Sequence, residues 1–260
     1  MSTTRRHILL VTLIGVMSCF LLPHNAVSIT PEEARAQWNV ANELYAAEKY
    51  KEAADKYDAL LEAGIVNGVL LYNTGNALAK LNRTGEAVAM YVRALRLSPR
   101  DSDITRNLRM IQPAINEQSS FILLIPFEAL KNLLSLSEWT LLLDISFWLV
   151  CFTLIIFILT RSSRIKTASG TAIKILGSVF VIVLVFWGIT FYQQHVVVEA
   201  VVANDDTIAR VGPGVDTQET FRLAAGTRVR WIEQPINGWV RVRFPDGKSA
   251  YLSLDDLIRI

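Results

Sequence analysis

The chain has few residues of the types that bind metal ions or form disulfides, with 2 cysteines and 3 histidines among 260 residues. Cys19 and Cys151 both lie in long apolar runs, so they predict neither a disulfide framework nor a zinc site. His7 and His24 lie near the N-terminus, and His195 follows another apolar run. Walker A, GxSxG and HExxH motifs do not occur. The sequence therefore predicts a protein with no enzymatic activity, no metal and no other cofactor.

The chain also lacks a strong excess of charge of one sign. Residues 29–120 carry 11 basic and 12 acidic side chains, and residues 195–260 carry 8 and 9. The net charge of +2 therefore arises from the N-terminal segment and from a short basic segment at residues 161–170. Because proteins that bind nucleic acid usually carry a basic face, nucleic acid is not an expected partner.

Apolar residues, in contrast, are abundant. They make up 52% of the chain, and the mean hydropathy of +0.32 is too high for an ordinary soluble protein of this size. The first of three apolar blocks lies in residues 1–28, where Arg5 and Arg6 precede an apolar run at residues 8–22 and small residues lead to Ser28. This is the pattern of a cleaved signal peptide, and a retained membrane anchor is the alternative.

The second and third apolar blocks are long enough to cross a bilayer. Residues 139–160 and 171–192 would each form about 33 Å of helix, and the hydrocarbon core of a bilayer is about 30 Å thick. The connecting loop, residues 161–170, contains three basic residues and no acid, so the positive-inside rule places it in the cytoplasm. The domains on either side of this hairpin then face the periplasm, in agreement with the signal peptide.

Two features accompany the first predicted span. Asp144 lies inside it, and an intramembrane carboxylate is a candidate functional group, although this one is near enough to the predicted entry to reach the headgroups. In residues 119–138, Pro126 interrupts an apolar run, after which Phe127 and Leu130 begin a pattern of helical spacing. This pattern predicts a short amphipathic helix lying on the membrane surface.

A repeated segment lies between the first and second apolar blocks. Residues 41–63 align with residues 75–97 at a constant offset of 34, the period of the tetratricopeptide repeat (TPR), a helix-turn-helix unit. The matched pairs are Ala41 with Gly75, Asn42 with Asn76, Glu52 with Glu86, Ala53 with Ala87, Tyr57 with Tyr91 and Leu61 with Leu95. We assign a TPR domain to residues 29–118. Two unrelated amphipathic helical hairpins are the alternative.

The repeat pattern fixes the expected element order. The two repeats are predicted at about 34–67 and 68–101. Because such arrays usually need about three repeats, a capping helix is expected at 102–115, with Asp101 or Ser102 as its N-cap.

Glycine at position 75 needs an explanation, since glycine inside a helix costs about 1 kcal/mol relative to alanine. We predict that Gly75 lies where the first helix of its repeat crosses the second, and that a larger side chain would keep the two backbones apart. Tyr57 and Tyr91 are expected to fill the gap between repeats.

Ligands of TPR domains usually bind the concave face formed by the first helix of each repeat. In this chain the residues of that face would be Trp38, Asn42, Tyr45, Tyr72, Asn73, Asn76, Lys80, Arg106 and Arg109. Asn42 and Asn73 resemble the asparagines of repeat domains that clamp the C-terminal carboxylate of a partner peptide, although Trp38 stands where such clamps have lysine. In the alternative, Asn42 and Asn76 merely cap or solvate the groove, while Trp38 and Tyr72 belong to the core between repeats.

After residue 195 the apolar residues alternate in short runs separated by the turn signals NDD, GPG, NG and PDG. Short strands separated by turns predict a small all-β barrel at residues 195–260. Trp231, Trp239, Phe244 and Tyr251 would supply most of the bulk of its core.

Three segments of this region, "ARVGPG", "AAGTRVRW" and "NGWVRVRFPDGKSAYL", resemble the bacterial SH3-like module. The usual pattern has glycine where this chain has Ala250. We take Trp239 and Tyr251 as the candidate binding residues of this module.

The order of the segments resembles that of the BatE-type proteins of Bacteroides aerotolerance (Bat) operons. The expected fold is thus a multidomain membrane protein with α-helical TPR hairpins, a two-helix transmembrane hairpin and a small all-β SH3-like barrel. The resemblance implies a bacterial inner-membrane protein that acts beside von Willebrand A-domain proteins and a MoxR-type ATPase in stress tolerance.

Two functions remain open on the sequence alone. In the first, the protein is a non-enzymatic scaffold in the inner membrane that binds protein partners in the periplasm. In the second, it is a cell-wall receptor whose SH3-like domain binds peptidoglycan peptides.

Overall fold

The computed structural model describes residues 29–112, residue 130 and residues 133–260. The predicted signal peptide at residues 1–28 lies outside the described residues, as does most of the amphipathic segment predicted at 119–138. The described residues form two compact units. One comprises Leu141–Leu184, and the other, called here the larger unit, comprises Ile29–Thr140 and Val185–Ile260.

The larger unit begins with five helices that form two hairpins followed by a single helix. They are α1 (Pro31–Ala46), α2 (Tyr50–Glu62), α3 (Gly68–Lys80), α4 (Thr84–Leu97) and α5 (Ser102–Ile111). Of the two predicted N-caps of α5, the structure has Asp101, whose carboxylate accepts hydrogen bonds from the backbone N–H groups of Asp103 and Ile104. The helix stops at Ile111 rather than continuing to 115, because Pro113 follows and the residue before a proline avoids helical backbone.

The core of the hairpins is built from small residues and tyrosines. Ala41, Ala53 and Gly75 are buried, and a β-carbon on Gly75 would lie 2.7 Å from Cε1 of the Tyr91 ring. The close contact at Gly75 is thus made with an aromatic ring, not with the backbone of the second helix as predicted. Tyr91 is on α4 and Gly75 on α3, so the ring fills space inside its own hairpin, whereas the prediction placed it between repeats.

Seven short strands form one antiparallel sheet. They are β1 (Glu199–Val202), β2 (Thr207–Arg210), β3 (Glu219–Leu223), β4 (Arg228–Trp231), β5 (Trp239–Arg243), β6 (Ser249–Ser253) and β7 (Leu257–Arg259). The strand order is β3-β2-β6-β5-β4-β1-β7, and closure of this sheet into a barrel stays a prediction. Val240, Val242 and Leu252 point into its core with no exposed surface.

Two long helices, α6 (Leu136–Leu159) and α7 (Ser163–His195), are long and apolar enough by length and composition to cross a membrane. Their bounds differ from the predicted spans, 139–160 and 171–192. Most of the loop predicted at 161–170 is the first part of α7, because this polar segment contains no proline and simply continues the helix. Hydropathy marked where the apolar run begins, which is not where the helix begins. The β region likewise starts at Glu199 rather than at 195.

The N-terminus of α6 is held by polar groups. The Ser135 backbone N–H and hydroxyl donate to Glu138 Oε2 at 2.9 and 3.0 Å, and the Glu138 N–H donates to the Ser135 hydroxyl at 3.4 Å. Arg100, from the connection between α4 and α5, forms an ion pair with Glu138 and donates to the Leu133 carbonyl at 3.0 Å. We call Arg100, Ser135 and Glu138 the Arg100 cluster. Such a capping box explains why α6 begins before the apolar run.

The sheet packs directly on α4, a contact that the sequence did not predict. Val201 of β1 is fully buried in the core of the helices, and Ile258 and Ile260 also pack against that core. Gly85 makes the closest approach, since a β-carbon there would lie 2.3 Å from the Ala203 carbonyl oxygen. We call this the docking contact. The hairpins and the sheet are therefore parts of one compact unit.

Candidate functional site

The predicted asparagines on α1 and α3 take part in hydrogen bonds between helices. The Tyr57 hydroxyl donates to Asn42 Oδ1 at 2.7 Å, and the Asn73 amide reaches the same oxygen at 3.5 Å. The ring of Trp38 lies against Tyr57, with 5.7 Å between centroids. These contacts link α1, α2 and α3.

The same contacts recur 34 residues later. The Tyr91 hydroxyl donates to Asn76 Oδ1 at 2.7 Å, and the Asn107 amide donates to that oxygen at 2.9 Å. The rings of Tyr72 and Tyr91 have centroids 5.9 Å apart. We call the two sets together the asparagine–tyrosine ladder. Because Asn107 on α5 occupies the position of Asn73 on α3, α5 packs on the second hairpin as α3 packs on the first.

The ladder uses the carbonyl ends of Asn42 and Asn76, while their amide N–H groups donate to no other group in the described part of the chain. These amides are therefore available to a ligand, as the clamp hypothesis requires. Trp38 and Tyr72 are half-buried against tyrosines, as the alternative required. Each hypothesis thus accounts for part of this surface.

Tyr91 stays a hydrogen-bond donor over the whole physiological pH range. Burial raises the pKa of its hydroxyl to about 12, and the hydrogen bond with Asn107 offsets only part of that rise. Burial likewise raises the pKa of Tyr57. The ladder is consequently fixed in one protonation state.

The remaining predicted residues of this surface differ in their contacts. Tyr45 packs edge-on against Tyr50, with ring centroids 5.2 Å apart, and the Lys80 ammonium lies 5.9 Å from the centre of the Tyr50 ring. Arg106 forms an ion pair with an aspartate of its own helix at 2.6 Å. Arg109 is exposed. Lys80 and Arg109 are thus the cations that remain free of ion pairs in the described structure and that a ligand carboxylate could meet.

The sheet brings the two candidate residues of the C-terminal region to one face. Because Val240 and Val242 point into the core, the alternating residues Trp239 and Arg241 point outward. Tyr251 is opposite Arg241 in the register of β5 and β6, so it shares that outer face.

A groove with a volume of about 350 Å³ lies beside Trp239. Its lining includes Ser253, Arg210 and three aspartates, Asp205, Asp206 and Asp256, but not Tyr251. We call it the Trp239 groove. Burial and then the neighbouring Asp255 raise the pKa of the Asp256 carboxyl. The groove combines one large aromatic ring with an excess of acidic side chains.

One wall of the Trp239 groove is held by an arginine. Arg210 donates to the Thr217 carbonyl at 2.6 Å, and the Thr217 hydroxyl donates to the carbonyls of Gly212 and Gly214 at 2.9 and 2.8 Å. These bonds fold the segment after β2 back on itself and place Val215 in the lining. The GPG turn is therefore a structural support of the groove.

The aromatic groove beside a sheet of short antiparallel strands agrees with a comparison to protein-family models. Residues 205–258 match the bacterial SH3 domain. The comparison with curated proteins gives no match. The match confirms the predicted SH3-like module over these residues. It begins after β1, so the strand that carries Val201 and leads into the docking contact lies outside the matched SH3 domain.

Beside the SH3 domain, the first residue of β1 lies among arginines. Glu199 Oε2 accepts from Arg96 of α4 at 3.1 Å and from Arg228 at 3.4 Å, while Oε1 accepts from Arg230 at 3.3 Å. Burial alone would raise the pKa of Glu199, but the three guanidinium groups outweigh it and hold the pKa below its usual value. Glu199 thus ties α4 to the sheet in its ionised form.

We expect replacement of Glu199 by glutamine to destabilise the larger unit by about 1.5–3 kcal/mol at neutral pH, the usual value of hydrogen bonds to a charged group. Because the folded-state pKa is lowered, the contribution of the carboxylate is present above its ordinary pKa of 4.5 and is lost as the pH falls through the folded value. Melting temperatures of wild type and Glu199→Gln, measured from pH 7 to pH 3, should therefore converge at acid pH. A constant difference across this range would show that the carboxylate charge has no role.

Sequence reasoning missed several residues of these surfaces. Asn107 was within reach of it, because its position is that of Asn73 plus the repeat period of 34. Arg210 was part of the quoted "ARVGPG" segment, but its role depends on a bond to Thr217 seven residues away. No sequence signal joined Asp205 and Asp256, since they meet only through the strand order.

Proposed function

We propose that this protein is a non-enzymatic scaffold of the bacterial inner membrane, anchored by α6 and α7 and facing the periplasm. The length and apolar composition of the two helices support the anchor. The basic residues between the predicted spans support a cytoplasmic turn. Two crossings return the chain to the side on which it entered, and the docking contact between α4 and β1 requires the hairpins and the sheet to be on one side.

The helical hairpins are proposed to be TPR units that bind a peptide. The asparagine–tyrosine ladder, which repeats at 34 residues, supports this assignment, as does the exact length of the TPR period. The free amides of Asn42 and Asn76 are suited to the main chain of an extended peptide. Arg109 and Lys80 are suited to its carboxylate.

The Trp239 groove is the observation that carries the binding proposal. Bacterial SH3 domains suggest binding of protein or cell wall. Trp239 is half-exposed on the outer face of the sheet, where the domain's own core does not use it, and a concave space of about 350 Å³ adjoins it. An exposed tryptophan beside a cavity is typical of a residue that dominates the energy of a binding interface. We infer that Trp239 is the main contact of the SH3 domain with its ligand.

The segment order that resembles BatE-type proteins supports a place in a Bat/MoxR-type stress-tolerance complex. On this proposal the protein partners are von Willebrand A-domain membrane proteins and other Bat-type subunits.

A cell-wall receptor is the second candidate function. The three aspartates of the Trp239 groove favour it, because they suit a ligand with a free amine, such as the side chain of a diamino acid in a peptidoglycan peptide. The aromatic ring would then cover the aliphatic part of that side chain.

We expect Trp239→Ala to weaken ligand capture by about 2 kcal/mol or more, the usual effect at a dominant interface residue, or roughly thirtyfold. The full-length protein in detergent would be tested for co-purification of membrane proteins, identified by mass spectrometry, and for retention on purified sacculi. Ile232→Ala serves as the control, since Ile232 is exposed on the same domain but does not line the groove. Unchanged capture by Trp239→Ala in both assays would contradict the proposal.

The same assays separate the two surfaces and the two functions. Loss of captured proteins in Asn73→Ala would assign them to the helical hairpins. Asn73 is preferred to Asn42 for this test, because alanine at 42 would also remove the acceptor of the Tyr57 hydroxyl. Retention by sacculi alone, lost in Trp239→Ala, would favour the cell-wall receptor.

A further inference from the structure

A second concave space, of about 320 Å³, lies on another side of the sheet and is rich in arginine. Its lining includes Arg228 and Arg230 of β4, Arg243 of β5, and Glu199 and Gln112. We call it the arginine cavity. None of its arginines lines the Trp239 groove.

The charges around the arginine cavity are not balanced by the described residues. Glu199 is shared by Arg228, Arg230 and Arg96, so one carboxylate faces three guanidinium groups. Arg243 has no ion-pair or hydrogen-bond partner for its side chain in the described ranges. Arg243 is also directly opposite Arg230 in the register of β4 and β5. Like charges directly opposite in a sheet are destabilising, which an anion in the cavity would relieve.

The cavity is close to the end of α7. Four residues lead from His195 to Glu199, which is at most about 14 Å of extended chain. The Trp231 N–H donates to the Val198 carbonyl at 2.9 Å, so β4 is attached to this short connection. Aromatic side chains at the end of α7 include Trp187, whose ring stacks on Phe191 with 5.2 Å between centroids. Tryptophan and other amphipathic rings are enriched where a membrane helix meets the headgroups.

We propose that the arginine cavity binds the phosphate of an anionic phospholipid headgroup. The proposal rests on the membrane anchoring put forward above, but not on the Trp239 groove or on any protein partner. Guanidinium groups bind phosphate oxygens with two parallel hydrogen bonds, and several arginines around one space suit such a ligand. Basic pockets beside membrane helices are known to hold anionic headgroups. The bound lipid would fix the face of the sheet against the bilayer.

The test uses the full-length protein in a neutral detergent, with phosphatidylglycerol, phosphatidylcholine and inorganic phosphate as separate probes. Native mass spectrometry would count bound lipids, and melting temperatures would follow stabilisation. We expect phosphatidylglycerol to bind in preference to phosphatidylcholine. Arg230→Gln with Arg243→Gln should weaken this binding about 25-fold, at about fivefold per arginine.

Arg222→Gln with Lys51→Gln is the matched control, because it removes the same charge from exposed positions outside the cavity. The control should keep the wild-type preference for phosphatidylglycerol. A preference that survives in the cavity variant would overturn the proposal. Equal protection by inorganic phosphate would also overturn it, by assigning the cavity to a free anion. Binding of poly-glutamate in place of lipid, lost in the same variant, would assign it to an acidic peptide instead.

Failure of this test leaves the capture assays on Trp239 and Asn73 unaffected, since those residues are on other surfaces. Conversely, a protein that captures no partner would still show the lipid preference if α6 and α7 place the cavity at the membrane. The two proposals therefore fail separately.

Discussion

Alanine at position 85 is expected to break the docking contact between α4 and the sheet. The new β-carbon would lie 2.3 Å from the Ala203 carbonyl oxygen and 2.5 Å from that of Val202. Both are backbone atoms, so no side chain can rotate away. Alanine gains about 0.5–1 kcal/mol of helix propensity over glycine, but overpacking of this kind costs about 1–3 kcal/mol or more, and the second effect dominates.

The measurements for Gly85→Ala are the melting temperature of the full-length protein and hydrogen exchange of β1 and β7. Both strands should exchange faster in the variant, because they lose their cover. Gly177→Ala is the control, since a β-carbon at Gly177 meets nothing within 4 Å and the same helix gain applies. If the two variants behaved alike, α4 and the sheet would not be in the contact described here.

Leucine at position 75 is expected to destabilise the second hairpin by about 3 kcal/mol or more, the upper part of the range for overpacking. A β-carbon alone would already be 2.7 and 2.8 Å from two carbons of the Tyr91 ring. Tyr91 is almost fully buried, with 2% of its surface exposed, so its ring has no free space to enter.

A double-mutant cycle tests the reason for this effect. In a Tyr91→Leu background the ring is gone, and the added cost of Gly75→Leu should fall by at least half. Thermal unfolding of the four proteins gives the coupling energy. Strictly additive costs would show that Gly75 is required by something other than Tyr91.

The asparagine–tyrosine ladder shows how much of the helical part could be predicted. Aligned Asn42 with Asn76 and Tyr57 with Tyr91 gave the two hairpins, because residues that pack in the same way in each unit are retained at one offset. What each pair does could not be derived from the offset. Gly75 suggested a crossing of backbones, whereas the structure places the Tyr91 ring there.

The docking contact lay beyond prediction because it joins segments more than a hundred residues apart. One trace of it was present in the sequence. Gly85 is 34 residues after Lys51, so the two have the same place in their repeats, yet Lys51 is exposed and Gly85 is buried. A glycine that replaces a solvated lysine at one repeat position indicates that something covers the second repeat there. Its identity follows only from the fold.

The Trp239 groove and the arginine cavity illustrate a limit of composition. The near-neutral balance of residues 195–260 gave no hint of charged surfaces. The strand order β6-β5-β4 nevertheless separates the charges, with three aspartates in the Trp239 groove and three arginines in the arginine cavity. Net charge sums over a surface, whereas binding depends on where each charge lies.

The Arg100 cluster gives the protein a sensitivity to bilayer thickness. From Trp139 to the end of α6 at Leu159 there are 21 residues, or about 31 Å of helix, close to the hydrocarbon thickness of about 30 Å. A longer helix can adapt to a thinner bilayer by tilting, but here the polar groups of Ser135 and Glu138 are bonded to Arg100 of the helical hairpins. Thin bilayers would therefore strain this junction, and lipids with acyl chains of intermediate length should suit the protein best.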